Sequence, residues 1–102
     1  MEEMIKMKNE TKDQVVLVTG ASTGIGNLTA RSLAEAGHTV YASMRNIGGR
    51  NAVRAEERLE YGRGHGLDLR VVELDVQSDA SAEAAVATIL EEAGKLDVVV
   101  HN

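Results

Sequence analysis

From Gln14 onward, short unbroken apolar runs alternate with longer stretches in which apolar residues return every three or four positions. Val15-Val16-Leu17-Val18 contains no polar residue and is closed by Thr19-Gly20, which predicts a strand buried on both faces. Leu28 to Ala36 predicts a helix. Ile25, Leu28, Leu33 and Ala36 approximate one apolar stripe, and Gly37 stands where a left-handed stop belongs. Thr39 to Met44 predicts a second strand, and Arg50 to Glu60 a weaker helix with Ala52, Ala55 and Leu59 on one face. Gly62, Gly64 and Gly66 are expected to break the chain there. Arg70 to Leu74 predicts a third strand. Ser78 can cap a further helix with Asp79 in its first turn. Ala82, Ala85, Val86, Ile89, Leu90 and Ala93 give that helix its apolar face, and Gly94 ends it. Leu96 to His101 predicts a fourth strand. Residues 1–13 show no sustained period and read as a loose N-terminal extension, leaving 14–102 as one domain.

Strands and helices in strict alternation belong to the α/β class. They imply a parallel sheet joined by right-handed crossovers. Composition narrows the function. Apolar residues make up 43% of the chain, enough for a core, and no cysteine is present to staple a fold or hold zinc. A net charge of −5 argues against a nucleic-acid partner. The apolar runs fall far short of the roughly 20 residues that span a membrane, and the N-terminus carries no hydrophobic signal region. The expected compartment is the cytoplasm. His38, His65 and His101 are too far apart for a local metal motif, so no metal site is expected. Glu56-Glu57 and Glu91-Glu92 are adjacent on helices and split across faces, which suits solvation better than acid/base work.

Candidate chemistry concentrates between the first strand and the first helix, at Thr19-Gly20-Ala21-Ser22-Thr23-Gly24-Ile25-Gly26. A helix N-terminus offers unpaired N–H groups and the positive end of a dipole, and a diphosphate can reach them only where side chains stay clear. Gly20 can make the tight turn, Gly24 can admit the phosphates, and Gly26 can let helix and strand pack. Ser22 and Thr23 add hydroxyls, and Ile25 completes the candidate cofactor-binding loop. The spacing is G-x-x-x-G-x-G, and no Gly-Lys-Ser/Thr follows, so it is no P-loop.

In dinucleotide sites an acid about 20 residues further on binds the ribose 2′-hydroxyl, whereas an arginine accommodates a 2′-phosphate. No Asp or Glu occurs between Glu35 and Glu56, while that stretch holds Arg45, Arg50 and Arg54. It carries +3 on a chain whose remainder carries −8. Arg45 directly follows the second strand and is the candidate phosphate contact, which points to NADP before NAD. Arg50 and Arg54 read as solvated helix residues.

These residues resemble the short-chain dehydrogenases/reductases over about residues 14–102. TGASTGIG resembles the TGxxxGxG cofactor signature of that family. Leu74-Asp75-Val76 resembles its adenine-contacting segment, and the run from Leu96 to Asn102 resembles the start of its Asn-Asn-Ala-Gly strand, with His101 in place of the first Asn. The resemblance implies a partial Rossmann-type doubly wound sheet of four strands, order 3-2-1-4, with three helices. It places Asp75 at the adenine amino group, Val76 beside the ring and Asn102 near the cofactor ribose. Met44-Arg45 matches the NADP-preferring pattern of the family.

The implied activity is hydride transfer between NADP and a small carbonyl or alcohol substrate. In the family a serine and a Tyr-x-x-x-Lys pair carry the proton chemistry. The tyrosines here are Tyr41 and Tyr61, followed four residues later by Arg45 and His65, so no catalytic residue is assigned. A rival reading is a dinucleotide-binding module with no turnover of its own. A strand at Val98-Val99-Val100 left at a sheet edge would also invite self-association.

Overall fold

The first apolar run forms strand β1 (Val15–Val18) and lies inside a four-stranded parallel sheet. The structure is a computed structural model and describes residues 13–102. Of the expected N-terminal extension, all but Asp13 lies outside the described residues. Chain order is β1, α1 (Gly24–Glu35), β2 (Thr39–Met44), α2 (Ala52–His65), β3 (Leu69–Glu73), α3 (Asp79–Ala93) and β4 (Val98–Val100). Sheet order is β3-β2-β1-β4, as the family resemblance implied.

Side-chain alternation in β1 divides the core. Val16 and Val18 pack on one side with Ala30 and Ala34 of α1 and Ala55 of α2. Val15 and Leu17 pack on the other with Ala85 and Ile89 of α3. Both faces of β1 are covered, which is why its sequence shows no polar alternation.

Three expectations need correction. Helix α1 begins four residues early, at Gly24, and the low helix propensity of Gly24 and Gly26 is what hides its first turn in the sequence. Its buried face is Gly26, Ala30 and Ala34, whereas Ile25 and Leu28 of the expected stripe are 73% and 60% exposed. The burying stripe is made of small residues, so a search for large apolar positions chose the wrong face. Helix α2 continues through Gly62 and Gly64 to His65, and Gly66 at φ 65° is the residue that ends it. Packing outweighs the glycine cost of about 1 kcal/mol each. Gly62 is buried, and a Cβ there would press on Leu69 of β3 at 3.1 Å.

Asp97, just before β4, ties that strand to β1. Its Oδ2 accepts the Val15 N–H at 2.8 Å, and its own N–H donates to the Val15 carbonyl at 2.9 Å. The Val15 N–H first, and then Lys95 at 3.1 Å, hold its carboxyl below the usual carboxylate range.

Two stability predictions follow the packing. A Cβ at Gly26 would lie 2.1 Å from the Gly20 carbonyl oxygen, whereas one at Gly64 meets nothing within 4 Å. Gly64→Ala is expected to stabilise by about 0.5–1 kcal/mol, the ordinary helical gain. Gly26→Ala should destabilise by about 1–3 kcal/mol despite the same gain in propensity. Urea denaturation of both variants checks this, and equal signs would refute the close approach. A depressed folded pKa adds stability above the unfolded value of about 3.9, and that stability is lost as pH falls through the folded value. Asp97→Asn should therefore lower the urea midpoint at pH 7 and shrink the further drop on acidification to about pH 3. A pH profile parallel to wild type would count against the Val15–Asp97 link.

Candidate cofactor-binding site

The site is built where β1 and β2 end and the chain turns outward. Ala21 N–H donates to the Ser43 carbonyl at 2.8 Å, and the buried Ser43 hydroxyl donates to the Val18 carbonyl at 2.9 Å. These bonds pin the start of the glycine loop to the last residues of both strands. Gly20 and Gly24 both adopt φ 62°, a left-handed conformation that suits glycine. Gly26 brings the first turn of α1 against the Gly20 backbone, where any Cβ would collide.

That turn is left open. Thr23 is its N-cap residue but makes no side-chain cap bond, and no acidic residue stands in the turn. The first N–H groups of a helix have no partner within it. Helix α3 behaves differently: the Ser78 hydroxyl accepts from the Ser81 N–H, and Asp79 lies in the first turn. The chain thus caps α3 with its own side chains and leaves α1, like α2, without a side-chain cap, in the case of α1 beside glycines. A Cβ on Gly24 would meet nothing within 4 Å, so the approach to these amides is clear.

A cleft of about 490 Å³ opens next to the loop. Gly20, Ser22 and Thr23 supply one side. Met44 at the end of β2, Arg45 just after it, and the segment Leu74 to Gln77 after β3 supply the back. Arg50, Asn51 and Arg54, around the start of α2, close the third side. The turn that brings them back is fixed by Asn46 at φ 52° and by Asn51, whose Nδ2 donates to the Arg45 carbonyl at 2.6 Å. Asp75 sits at the start of a tight turn: its N–H donates to the Ser81 hydroxyl and its Oδ1 accepts from the Gln77 N–H.

Of the residues singled out from sequence, Gly20, Ser22, Thr23, Arg45, Asp75 and Val76 line this cleft. Gly24, Ile25 and Gly26 form the adjoining turn of α1 and lie outside the lining. Asn102 is also outside it: its N–H donates to the Thr19 hydroxyl, and its Nδ2 lies 3.4 Å from the Gly20 carbonyl oxygen. Sequence reasoning missed Arg50 and Arg54 as lining residues. Their separation by one helical turn, after Arg45 and within an acid-free stretch, was the signal available.

Neither tyrosine is set up as an acid/base near this cleft. Tyr41 is buried in β2, and its hydroxyl donates to Glu92 and accepts from Arg70. Burial, and then the Glu92 carboxylate, push its pKa up, against the opposing pull of Arg70. Tyr61 donates to Glu35 and stacks on His65 under the Arg31 guanidinium. Among the described residues no group of three His, Cys, Asp or Glu could hold a metal ion, and no helix is long and apolar enough to cross a membrane.

Comparison with known proteins agrees with this geometry. The chain is 39% identical over 94 residues to dehydrogenase/reductase SDR family member 7 of Mus musculus, covering 91% of this chain and 27% of that protein. It is 34% identical over 93 residues to a 3-ketodihydrosphingosine reductase of Bacteroides thetaiotaomicron, covering 87% of this chain and 28% of the relative. The chain therefore spans less than a third of the length of these curated relatives. Among solved structures, a variant of actinorhodin polyketide ketoreductase with NADPH superposes with a TM-score of 0.76 at 36% identity, over 88% of this chain and 33% of that one. The family model described as short chain dehydrogenase matches residues 14–102, and the chain belongs to that family.

Proposed function

We propose that these residues form the NADP-binding part of an oxidoreductase that transfers hydride between nicotinamide and a carbonyl or alcohol substrate. One observation carries the reading. Three arginines, Arg45, Arg50 and Arg54, line the same cleft as the uncapped glycine loop. The diphosphate is assigned to the open amides of α1, and the 2′-phosphate to the arginines. Asp75 and Val76 are assigned to the adenine, and Asn102 to the ribose beyond Gly20. When bound, the nicotinamide supplies or accepts the hydride. This chain's own residues bind and orient the cofactor. The ketoreductase with NADPH among the structural relatives supports the choice of cofactor.

The energetics favour a graded preference. A charge-assisted hydrogen bond is worth about 1.5–3 kcal/mol when shielded. All three arginines are exposed, so solvent and salt reduce this to about 1 kcal/mol each. A second reading, a binding module without turnover, is favoured by the two tyrosines, both held in hydrogen bonds away from the cleft.

NADP+ is expected to bind roughly 10- to 100-fold more tightly than NAD+ at low salt, a margin that narrows as salt rises. Arg45→Asp should reverse the order, and Arg50→Ala with Arg54→Ala should erode it. Calorimetric titration of both dinucleotides decides the matter: equal affinities in the wild type would remove the arginines from the role. Carbonyl-dependent oxidation of NADPH by this chain, above background, would eliminate the second reading.

A further inference from the structure

We propose that Arg58 is a positioning residue that sets the glycine loop for phosphate from beneath, through the Ser22 carbonyl. The inference rests on the dinucleotide reading of the same loop and assigns a role to a residue outside the cleft.

Arg58 stands in the middle of α2 and is only 8% exposed. Its Nη2 donates to the Ser22 carbonyl at 3.1 Å, and its Nε is buried without a partner. No ion pair among the described residues includes it. Burial pushes its pKa down from the usual arginine value; Glu57 opposes this, and the nearby cations Arg31 and Arg54 add to it. A buried cation without a carboxylate is a costly way to hold a helix against a loop, and an apolar side chain of similar length would serve packing better.

What an apolar side chain cannot do is grip a carbonyl. The peptide joining Ser22 to Thr23 is planar and trans, so its C=O and N–H point in opposite directions. Drawing the Ser22 oxygen toward α2 aims the Thr23 N–H away from α2. Thr23 is the N-cap residue of α1, makes no side-chain cap bond, and lines the cleft. Arg58 thereby fixes the orientation of the peptide that leads into the open amides. One turn earlier on the same helix, Arg54 faces the cleft itself. One residue reads the ligand directly, and the other acts through the loop.

This division is testable, because the diphosphate is common to both dinucleotides and the 2′-phosphate is not. Arg58→Met keeps the length and the apolar stem but removes the charge and the donors. In the whole chain, NADP+ and NAD+ affinities should fall together by about tenfold, with their ratio unaltered. Arg58→Lys should recover part of both. The ligand-free melting point of Arg58→Met should stay within about 2 °C of wild type or rise, since an unpaired buried cation is removed. Unaltered affinities in Arg58→Met overturn the inference alone. So does a loss confined to NADP+, which would make Arg58 a direct phosphate contact. A lowered ligand-free melting point with no rescue by lysine would reduce it to a structural part. A wild-type chain that binds neither dinucleotide overturns the underlying reading as well.

Discussion

Two glycine backbones touching at the end of β1 set the geometry on which the site depends. Where a Cβ at position 26 would sit, the Gly20 carbonyl oxygen is 2.1 Å away and its carbonyl carbon 2.8 Å. Only hydrogen fits, so α1 can begin directly against the strand that precedes it. The same approach continues along the helix through Ala30 and Ala34, which present small side chains to the sheet. A larger residue at any of these places would lift the helix and move its first amides away from the cleft. The glycines therefore position the helix as much as they clear space for a ligand.

Helix α2 then couples packing to charge. Its Ala55 and Gly62 dock on the sheet side, while Arg50 and Arg54 around its N-terminal end line the cleft and Arg58 reaches under the loop. The chain as a whole is acidic, so this concentration of cations is local by design of the sequence. In an exposed setting each charge is weak, and their value lies in converging on one cavity. Because one helix carries both Arg54, which lines the cleft, and Arg58, which bonds to the loop, its placement against β3 governs both at once.

The parts legible in the sequence were those where one residue type has one physical use. Val15–Val18 could be placed to the residue because a strand covered on both faces has no polar positions, and Ser78 because a capping hydroxyl precedes an acidic first turn. The parallel sheet followed from the alternation of elements and the loop from the glycine spacing, whereas the strand order came from the family resemblance. The rest was hidden for definite reasons. The buried stripe of α1 is small rather than large, so Ile25 and Leu28 drew attention to the solvent side. Gly62 looks like a breaker but is a contact point. Arg58 and Asp97 are ordinary surface types whose partners, Ser22 and Val15, are backbone groups distant in sequence, and no local pattern announces such a bond.

Polar satisfaction is unevenly spread, and that pattern separates folding from binding. On the side of the sheet facing α3, Tyr41, Arg70, Asp68, Thr39 and Glu92 form a connected network in which each group has a partner. It joins β2, β3 and α3 without any help from outside. Around the glycine loop the reverse holds: Thr23 caps nothing, and the buried Asn27 Oδ1 and Arg58 Nε have no partner among the described residues. Native structures seldom leave buried polar atoms unpaired, and two of the three such side-chain atoms among the described residues, one on α1 and one on α2, lie beside the loop, the third being His38 Nδ1 beyond the far end of α1. The sheet and its far face can hold themselves together, while the loop end keeps donors and positive charge in reserve. An anionic group entering beside Thr23 would supply acceptors to the first N–H groups of α1, which no side chain of the first turn caps.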